Sequence, residues 1–97
     1  MIVSFGDSLT ADLYHGTRTA RTRRVPADVM AVAVRKLDMV NAAAKLEDLR
    51  VPPGNRLEAL KGDLQGLHSI RANDQWRIVF RWAEGGVQAV RFTDYHS

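Results

Sequence analysis

The sequence has no cysteine among its 97 residues, so disulfide bonds and thiolate metal sites are excluded. It also has no apolar run near the roughly 20 residues needed to cross a bilayer. The first residues, MIVSFGDS, lack the charged, apolar and small-residue segments of a signal peptide. These absences favour a cytoplasmic protein with no membrane segment.

Length and composition favour one small folded unit. A chain of 97 residues with 45% hydrophobic and 26% charged residues suits a single globular core, so we expect one domain over residues 1–97. The formal charge of +3 comes from 14 Lys and Arg against 11 Asp and Glu. Arginine predominates among the cations, and its planar fork suits phosphate better than a lysine does.

The first residues predict a strand followed by a short helix. Residues 1–5 form an apolar run typical of an opening strand. Asp7 or Ser8 is suited to cap a helix that continues through Tyr14, and Gly16 then breaks the pattern.

Residues 18–24 concentrate arginine and offer almost nothing to bury, which predicts a mobile basic loop. Two interpretations remain open. The stretch is either a solvated charge run or a contact with nucleic acid or the ribosome, since flexible arginines neutralise phosphates whatever the base sequence. The four candidate RNA-binding residues are Arg18, Arg21, Arg23 and Arg24.

A second helix is predicted from Pro26, which suits a first helical position, to about Ala44. Apolar residues at three- and four-residue spacing give it one core-facing stripe. These residues are Met30, Ala33, Val34, Leu37 and Val40. Pro52 and the residues after it end any helix.

From Arg56 onward the apolar period changes to that of strands. Four segments separated by short turns rich in Gly, Asn and Asp predict an antiparallel meander: 56–61, 67–72, 76–82 and 87–95. With the helices placed before it, the fold class is α+β, a twisted sheet with helices on one face.

Strand alternation separates the apolar side chains from the cationic ones. The inward residues of the third segment are Trp76, Ile78, Phe80 and Trp82, joined by Ile70, Val90 and Phe92 from its neighbours. The opposite, open face then receives Arg71, Arg77, Arg81, Arg91 and Tyr95, together with Ser69 and Val79. Clustered arginines repel one another, so this face is either solvated with a few ion pairs or a phosphate-binding surface for single-stranded nucleic acid.

The chain ends by placing a carboxylate, a phenol and an imidazole side by side, at Asp94, Tyr95 and His96. A terminus is normally the loosest part of a domain. The three residues are therefore either solvated or delivered by the last strand to a place where protons are moved.

The stretch PPGNRLEALKGDLQGLHSIRANDQWRIVFRW, followed by DYH, resembles the HigB-type toxins of the RelE-like toxin–antitoxin superfamily. The shared motifs are LKG at 60–62, SIR at 69–71, NDQWRI at 73–78, FRW at 80–82 and DYH at 94–96. The resemblance implies two N-terminal helices on one face of a twisted, mainly antiparallel sheet. It also implies a ribosome-dependent endonuclease that cuts mRNA in the ribosomal A site, without metal or other cofactor. The implied partner is a HigA-like antitoxin with a helix-turn-helix, and their complex would repress operator DNA.

The resemblance also implies roles for individual residues. Asp94, Tyr95 and His96 match the terminal catalytic motif. His96 would transfer protons, since an imidazole has an unperturbed pKa of about 6.5, and Tyr95 would stack on or orient a base. Asp94, on the core parity, would orient a neighbour.

Cationic side chains would stabilise the negative charge that develops on the phosphate oxygens during cleavage. Arg71 and Arg77 would clamp the phosphate and Lys61 would add charge, with Arg81 and Arg91 on the same face. The three histidines, His15, His68 and His96, have no metal-ligand spacing, so no metal site is expected.

One position departs from the family pattern. Some relatives carry a histidine before LKG, where this chain has Glu58. That carboxylate either acts as the base or only pairs with an arginine. Two further readings of the whole chain remain open: a toxin of the same fold acting on another target such as gyrase, or a non-catalytic module that binds RNA or a partner.

Overall fold

The computed structural model describes residues 1–94 and has two helices and one four-stranded sheet. The helices are α1 (Ser8–His15) and α2 (Ala27–Ala42). The strands are β1 (Glu58–Ala59), β2 (His68–Arg71), β3 (Trp76–Ala83) and β4 (Gly86–Asp94). They pair in the order β1-β2-β3-β4, and every neighbouring pair is antiparallel. The predicted α+β class and meander are confirmed.

The predicted caps of α1 are also confirmed. The Asp7 carboxylate accepts hydrogen bonds from the backbone N–H of Thr10 at 2.9 Å and from its hydroxyl at 2.6 Å. Gly16 ends the helix at φ 72°, a left-handed conformation that favours glycine.

Helix α2 begins at Ala27, because Pro26 serves as the N-cap rather than the first helical residue, and it ends two residues before the expected Ala44. Its buried residues are Ala33, Lys36, Leu37 and Val40. Met30 and Val34, expected in the core, are only half-buried. The stripe that packs on the sheet is therefore narrower than the apolar pattern of the helix.

Lys36 is buried in α2 and hydrogen-bonds the fully buried Asn55 at 2.5 Å. The Asn55 amide in turn donates to the carbonyls of Leu49 at 3.2 Å and Val51 at 3.4 Å. Burial, with a smaller contribution from the neighbouring Arg35, lowers the pKa of the Lys36 amino group. This polar contact holds the segment before β1 against α2.

The first strand is much shorter than the predicted segment 56–61. Arg56 has φ 47°, outside the strand region, and Gly62–Leu64 forms a 3₁₀ turn. Between β3 and β4, a bulge separates the pairs Val79↔Arg91 and Arg81↔Gln88. Ala89, at φ 53°, is part of this irregularity.

The first six residues run alongside β4 rather than forming a full strand. They make two isolated parallel bridges, Ile2↔Val87 and Phe5↔Val90. Backbone hydrogen bonds from Val3 to Val87 and from Gly6 to Val90, both 2.8 Å, fix this edge.

The core lies between the helices and one face of the sheet. Its fully buried members include Ile70, Ile78, Phe80, Val90 and Phe92, and Trp76 and Trp82 pack against them. The predicted inward parity is confirmed for these residues, but Val79, predicted on the open face, is buried as well. In residues 1–94, no helix combines the length and the apolar character that crossing a membrane requires.

Candidate functional site

The sheet register brings the predicted open-face residues together. One row across β2, β3 and β4 is Arg71↔Arg77↔Thr93, and the next is Ser69↔Val79↔Arg91. Paired residues share a face and neighbouring strands lie about 4.8 Å apart, so three arginines lie within two adjacent rows. We call Arg71, Arg77, Arg91, Ser69 and Glu58 the arginine face.

Arg77 is the most constrained cation of the arginine face. Its Nε donates to the Ser69 hydroxyl at 2.9 Å, and its Nη2 donates to the Arg56 carbonyl at 2.9 Å. Its side chain is only 14% exposed. Because Nε and Nη2 are both hydrogen-bonded, Nη1 is the nitrogen of the guanidinium without an acceptor among residues 1–94.

Glu58 lies on β1 opposite Ser69 and contacts the same guanidinium. Its Oε1 is 3.5 Å from Nη2 of Arg77 and 3.5 Å from the Ser69 hydroxyl, and its side chain is 52% exposed. The arginine pairing offered as one interpretation of Glu58 is therefore present. Half of the carboxylate side chain still faces solvent, so a role as base stays a prediction.

Ser69 was not identified as a functional candidate from the sequence. It is fully buried although it lies on the open face, because the Arg77 side chain folds over it. The carbonyl of Arg56 was missed as well, since its position depends on a left-handed backbone conformation that no pattern predicts for arginine.

The other two arginines of this face differ in their neighbours. Arg71 forms an ion pair with Asp74, three residues along in the β2–β3 turn. The side chain of Arg91 makes no hydrogen bond or ion pair within residues 1–94, and it lies over the backbone of Gly6. A Cβ at Gly6 would come within 2.3 Å of the Arg91 Cγ, so only glycine allows this approach.

Lys61 and Arg81 lie farther from the constrained guanidinium. Lys61 is exposed and precedes the Gly62–Leu64 turn. Arg81 is exposed near the far end of β3, where its Nη1 lies beside Gly66. Among residues 1–94, neither shares a hydrogen bond or ion pair with Arg77.

The basic loop of residues 18–24 joins α1 to α2. Residues Thr22–Arg24 form a 3₁₀ turn, and Arg21 pairs with Asp12 of α1 at 3.0 Å. Thr22 is buried, contrary to the expectation that this stretch buries almost nothing. Its hydroxyl bonds with Thr19, which explains how a polar residue is accommodated. The mobility of the loop stays a prediction.

Of the terminal motif, only Asp94 is described. It pairs with Trp76 in the β3–β4 register and accepts a hydrogen bond from the Gln75 amide at 2.9 Å. Asp94 is exposed, and the orienting role expected of it stays a prediction. Tyr95 and His96 lie outside the described residues, so their roles stay predictions.

Two histidines outside the terminal motif lie against aromatic rings. His15 contacts Phe5 and Tyr14 at ring-centroid distances of 5.5 Å, and His68 stacks on Phe80 at 6.3 Å. Within residues 1–94, no group of three His, Asp or Glu side chains is placed to hold a metal ion.

Comparison with protein families and comparison with individual proteins indicate the same family. The profile described as "RelE-like toxin of type II toxin-antitoxin system HigB" matches residues 3–96. Toxin HigB-1 of Vibrio cholerae is 40% identical over 85 residues, covering 88% of this chain and 87% of the relative. Endoribonuclease HigB of Proteus vulgaris is 31% identical over 75 residues, covering 77% of this chain and 80% of the relative.

Two solved structures share the fold at low sequence identity. The YoeB–YefM complex from Staphylococcus aureus matches with a TM-score of 0.61 and 16% identity, over 100% of this chain and 99% of the other. The YoeB/ParE toxin from Agrobacterium tumefaciens matches with a TM-score of 0.52 and 20% identity, over 99% and 98%. With a family profile spanning almost its whole length, the chain belongs to the HigB-like family of RelE-like toxins from type II toxin–antitoxin systems.

Proposed function

We propose that this toxin is a ribosome-dependent endoribonuclease that cuts mRNA in the ribosomal A site and so stops translation and growth. Two observations support the proposal. A relative with 31% identity is named an endoribonuclease. The observation that carries it is Arg77, whose guanidinium is held by Ser69 and Arg56 and which pairs with Arg71 in the sheet register.

The chemistry of RNA cleavage gives these groups defined tasks. When the 2′-OH attacks the adjacent phosphorus, negative charge grows on the non-bridging oxygens and the 5′-oxygen departs. A cation fixed before the reaction stabilises that charge without reorganising. Arg77 has this property because its Nε and Nη2 are already bonded. Arg71 and Arg91 then hold the neighbouring phosphates, and Lys61 and Arg81 extend the cationic surface.

Proton transfer needs a base for the 2′-OH and an acid for the leaving oxygen. In this proposal His96 supplies proton transfer and Tyr95 orients a base of the mRNA, while Asp94 orients a neighbour. Glu58 is the candidate base where relatives have histidine. Its contact with Arg77 keeps the carboxylate within reach of the phosphate site but also partly neutralises it. The reaction is proposed to need no metal.

The proposal includes a partner and a location. A HigA-like antitoxin with a helix-turn-helix would bind the toxin, and their complex would repress operator DNA. A structural neighbour of this chain is itself a complex, YoeB–YefM. The toxin would act in the cytoplasm, where the ribosomes and mRNA are.

The test combines purified toxin, programmed bacterial ribosomes and labelled mRNA, with cut sites mapped by primer extension. We expect cuts in the A site that are absent from the same mRNA without ribosomes. The cuts should persist when the toxin alone is treated with EDTA and desalted before it meets the ribosomes. His96→Ala and Tyr95→Ala should remove the cuts while ribosome binding, measured by co-sedimentation, is retained. His15→Ala, an exposed histidine on α1, is the matched control and should cut normally.

Other outcomes would refute the proposal. Cutting of free mRNA would contradict ribosome dependence. A toxin that stops growth without any cuts would instead act on another target, such as gyrase. If His96→Ala and Tyr95→Ala stay toxic, or lose toxicity and ribosome binding together, the chain is a binding module rather than a nuclease.

A further inference from the structure

Arg56, whose backbone carbonyl holds Arg77, has a backbone conformation that arginine rarely adopts. Its φ is 47° and its ψ is 55°, in the left-handed region where a residue with a side chain is strained. Its carbonyl accepts a hydrogen bond from Nη2 of Arg77 at 2.9 Å. Such strain persists only where the surrounding structure fixes the chain, and it is concentrated at functional sites. Neighbouring contacts must therefore hold Arg56 in this conformation.

Asn55, the residue directly before Arg56, is held by hydrogen bonds to α2 and to the preceding segment. Its side chain is fully buried. Oδ1 accepts a hydrogen bond from Nζ of Lys36 at 2.5 Å. Nδ2 donates to the carbonyls of Leu49 at 3.2 Å and Val51 at 3.4 Å. Asn55 is thus fixed one residue before the carbonyl that the constrained guanidinium uses.

The chain is also fixed on the other side of Arg56. Leu57 packs against the core, and Glu58 pairs with Ser69 in the register of β1 and β2. Arg56 therefore lies between two anchored points. Loss of the Asn55 anchor would leave the chain fixed on one side only. Arg56 could then relax toward an ordinary backbone conformation, which would move its carbonyl.

Stability alone gives little reason to bury an amine and an amide at this position. Taking a charged amine out of water is costly, and apolar residues of similar shape can often replace buried polar partners without loss of stability. The polar pair does fix an orientation. Because the Lys36 amine can only donate, the amide oxygen of Asn55 must face it, and the amide nitrogen then faces the two backbone carbonyls.

We propose that Asn55 is a positioning residue for Arg77 and acts through the backbone carbonyl of Arg56. The contacts run from Lys36 in α2 through Asn55 and Arg56 to the arginine face. A fully buried side chain is not available to RNA, so Asn55 affects the reaction only by keeping this carbonyl in reach of Arg77. The effect on cleavage rests on the proposed function, whereas the effect on the position of Arg77 does not.

The first test observes the arginine side chains of the free toxin by nitrogen–proton correlation NMR. The Nε–H signal of Arg77 is the one that Arg77→Lys removes. It should exchange slowly with water in wild type, because Nε is bonded to Ser69 in a mostly buried side chain. Asn55→Ala should shift this signal and speed its exchange by about tenfold or more, since the loosened guanidinium loses hydrogen bonding.

The matched control removes the same kind of side chain from α2. The Oδ1 of Asn41 accepts a hydrogen bond from the Ile2 N–H at 2.9 Å, with no contact to the segment before β1. Asn41→Ala should therefore leave the Arg77 signal unchanged. All spectra are recorded below the melting temperature of each variant, so that only folded molecules are compared.

Asn55→Asp serves where Asn55→Ala does not fold. The carboxylate fills the same volume and keeps an acceptor for Lys36, but it places an oxygen against the carbonyls of Leu49 and Val51. The anchor to the preceding segment is lost, so the Arg77 signal should change in the same direction as in Asn55→Ala.

Cleavage on ribosomes tests the consequence for the reaction. A catalytic group misplaced by about 1 Å can slow a reaction about 10²-fold, so the Asn55 variants should cut roughly 10 to 100 times more slowly per folded molecule on saturating ribosomes. The ribosome concentration that gives half of the maximal rate should change by less than about twofold, because uniform binding is untouched. Asn41→Ala should cut at the wild-type rate.

The outcomes separate this inference from the proposed function. An unchanged Arg77 signal in a folded Asn55 variant would overturn the inference, and so would equal changes in Asn55→Ala and Asn41→Ala. Normal cutting by a folded Asn55 variant would overturn it as well. If the wild-type toxin does not cut mRNA on ribosomes, the proposed function fails, and the NMR comparison still decides whether Asn55 positions Arg77.

Discussion

The hydroxyl of Ser69 positions Arg77, and removal of this hydroxyl should lower both the stability of the fold and the rate of RNA cleavage. In Ser69→Ala the Nε of Arg77 loses its 2.9 Å acceptor in a site where the arginine side chain is 14% exposed. A hydrogen bond to a charged group contributes about 1.5–3 kcal/mol, and the remaining Arg56 contact and some water access place the expected loss near the lower value. The melting temperature should fall by roughly 5–10 °C for a domain of this size.

A double-mutant cycle isolates this contact from strand propensity. Ser69→Ala, Arg77→Ala and the double variant are unfolded in urea, and the coupling free energy is calculated from the four values. We expect about 1–2 kcal/mol of coupling, because the two side chains bond directly. A coupling below about 0.3 kcal/mol would refute the positioning argument, since that is the size expected of independent sites.

The cleavage assay then shows whether position matters for function. Misplacing a catalytic group by about 1 Å can slow a reaction about 10²-fold, so Ser69→Ala should cut mRNA roughly 10 to 100 times more slowly on saturating ribosomes. Thr93→Ala removes a hydroxyl from the same face with no hydrogen bond in residues 1–94, and should cut normally. Equal rates for both variants would show that Arg77 needs no support from Ser69.

Further predictions concern three other positions. Because the pKa of Lys36 is lowered in the folded chain from its ordinary 10.5, wild type should gain stability relative to Lys36→Met as pH rises from neutral toward 10.5. Urea unfolding at both ends of that range checks this, and parallel profiles would contradict it. Glu58→Gln should slow cleavage by about 10²-fold or more if the carboxylate is the base, but by less than about fivefold if it only pairs with arginine. Single-turnover cleavage on ribosomes distinguishes the two. Gly6→Ala should destabilise the fold by about 1–3 kcal/mol because its Cβ meets Arg91, whereas Gly54→Ala has open space; equal melting temperatures would refute this.

Local patterns were sufficient for most of the fold. Period-two alternation identified β2, β3 and β4, since these strands bury one face and their apolar side chains must share it. The Asp7 cap and the Gly16 stop follow from side-chain and backbone chemistry that acts within one turn of helix. Boundaries that depend on tertiary contacts were less predictable, as the short β1 shows.

The sequence predicted which arginines share a face of the sheet, but not which of them is held in a fixed position. Parity placed Arg71, Arg77 and Arg91 on one side, because alternation needs only the strand assignment. Which arginine is fixed depends on the carbonyl of Arg56 and the hydroxyl of Ser69, which the fold brings from 21 and eight residues away. No periodic pattern encodes such contacts.

On the helical side of the molecule, the sequence did not predict which residues of α2 are buried. Met30 and Val34 were predicted to belong to the core stripe of α2, and the structure leaves both half-buried while Ala33 is fully buried. Burial of Lys36 was equally hidden, because its partner Asn55 comes from a distant irregular segment. Sequence periodicity shows that a helix is amphipathic, but which part of its apolar surface remains open depends on the packing of the whole chain.

The most direct test of the central claim removes the constrained guanidinium. Wild type, Arg77→Ala and Arg35→Ala, an exposed arginine of α2 outside the arginine face, are compared on programmed ribosomes by primer extension. We predict A-site cuts by wild type and Arg35→Ala at similar rates, and a loss of about 10²-fold or more for Arg77→Ala with ribosome binding retained. Cutting by Arg77→Ala at the wild-type rate would contradict the account.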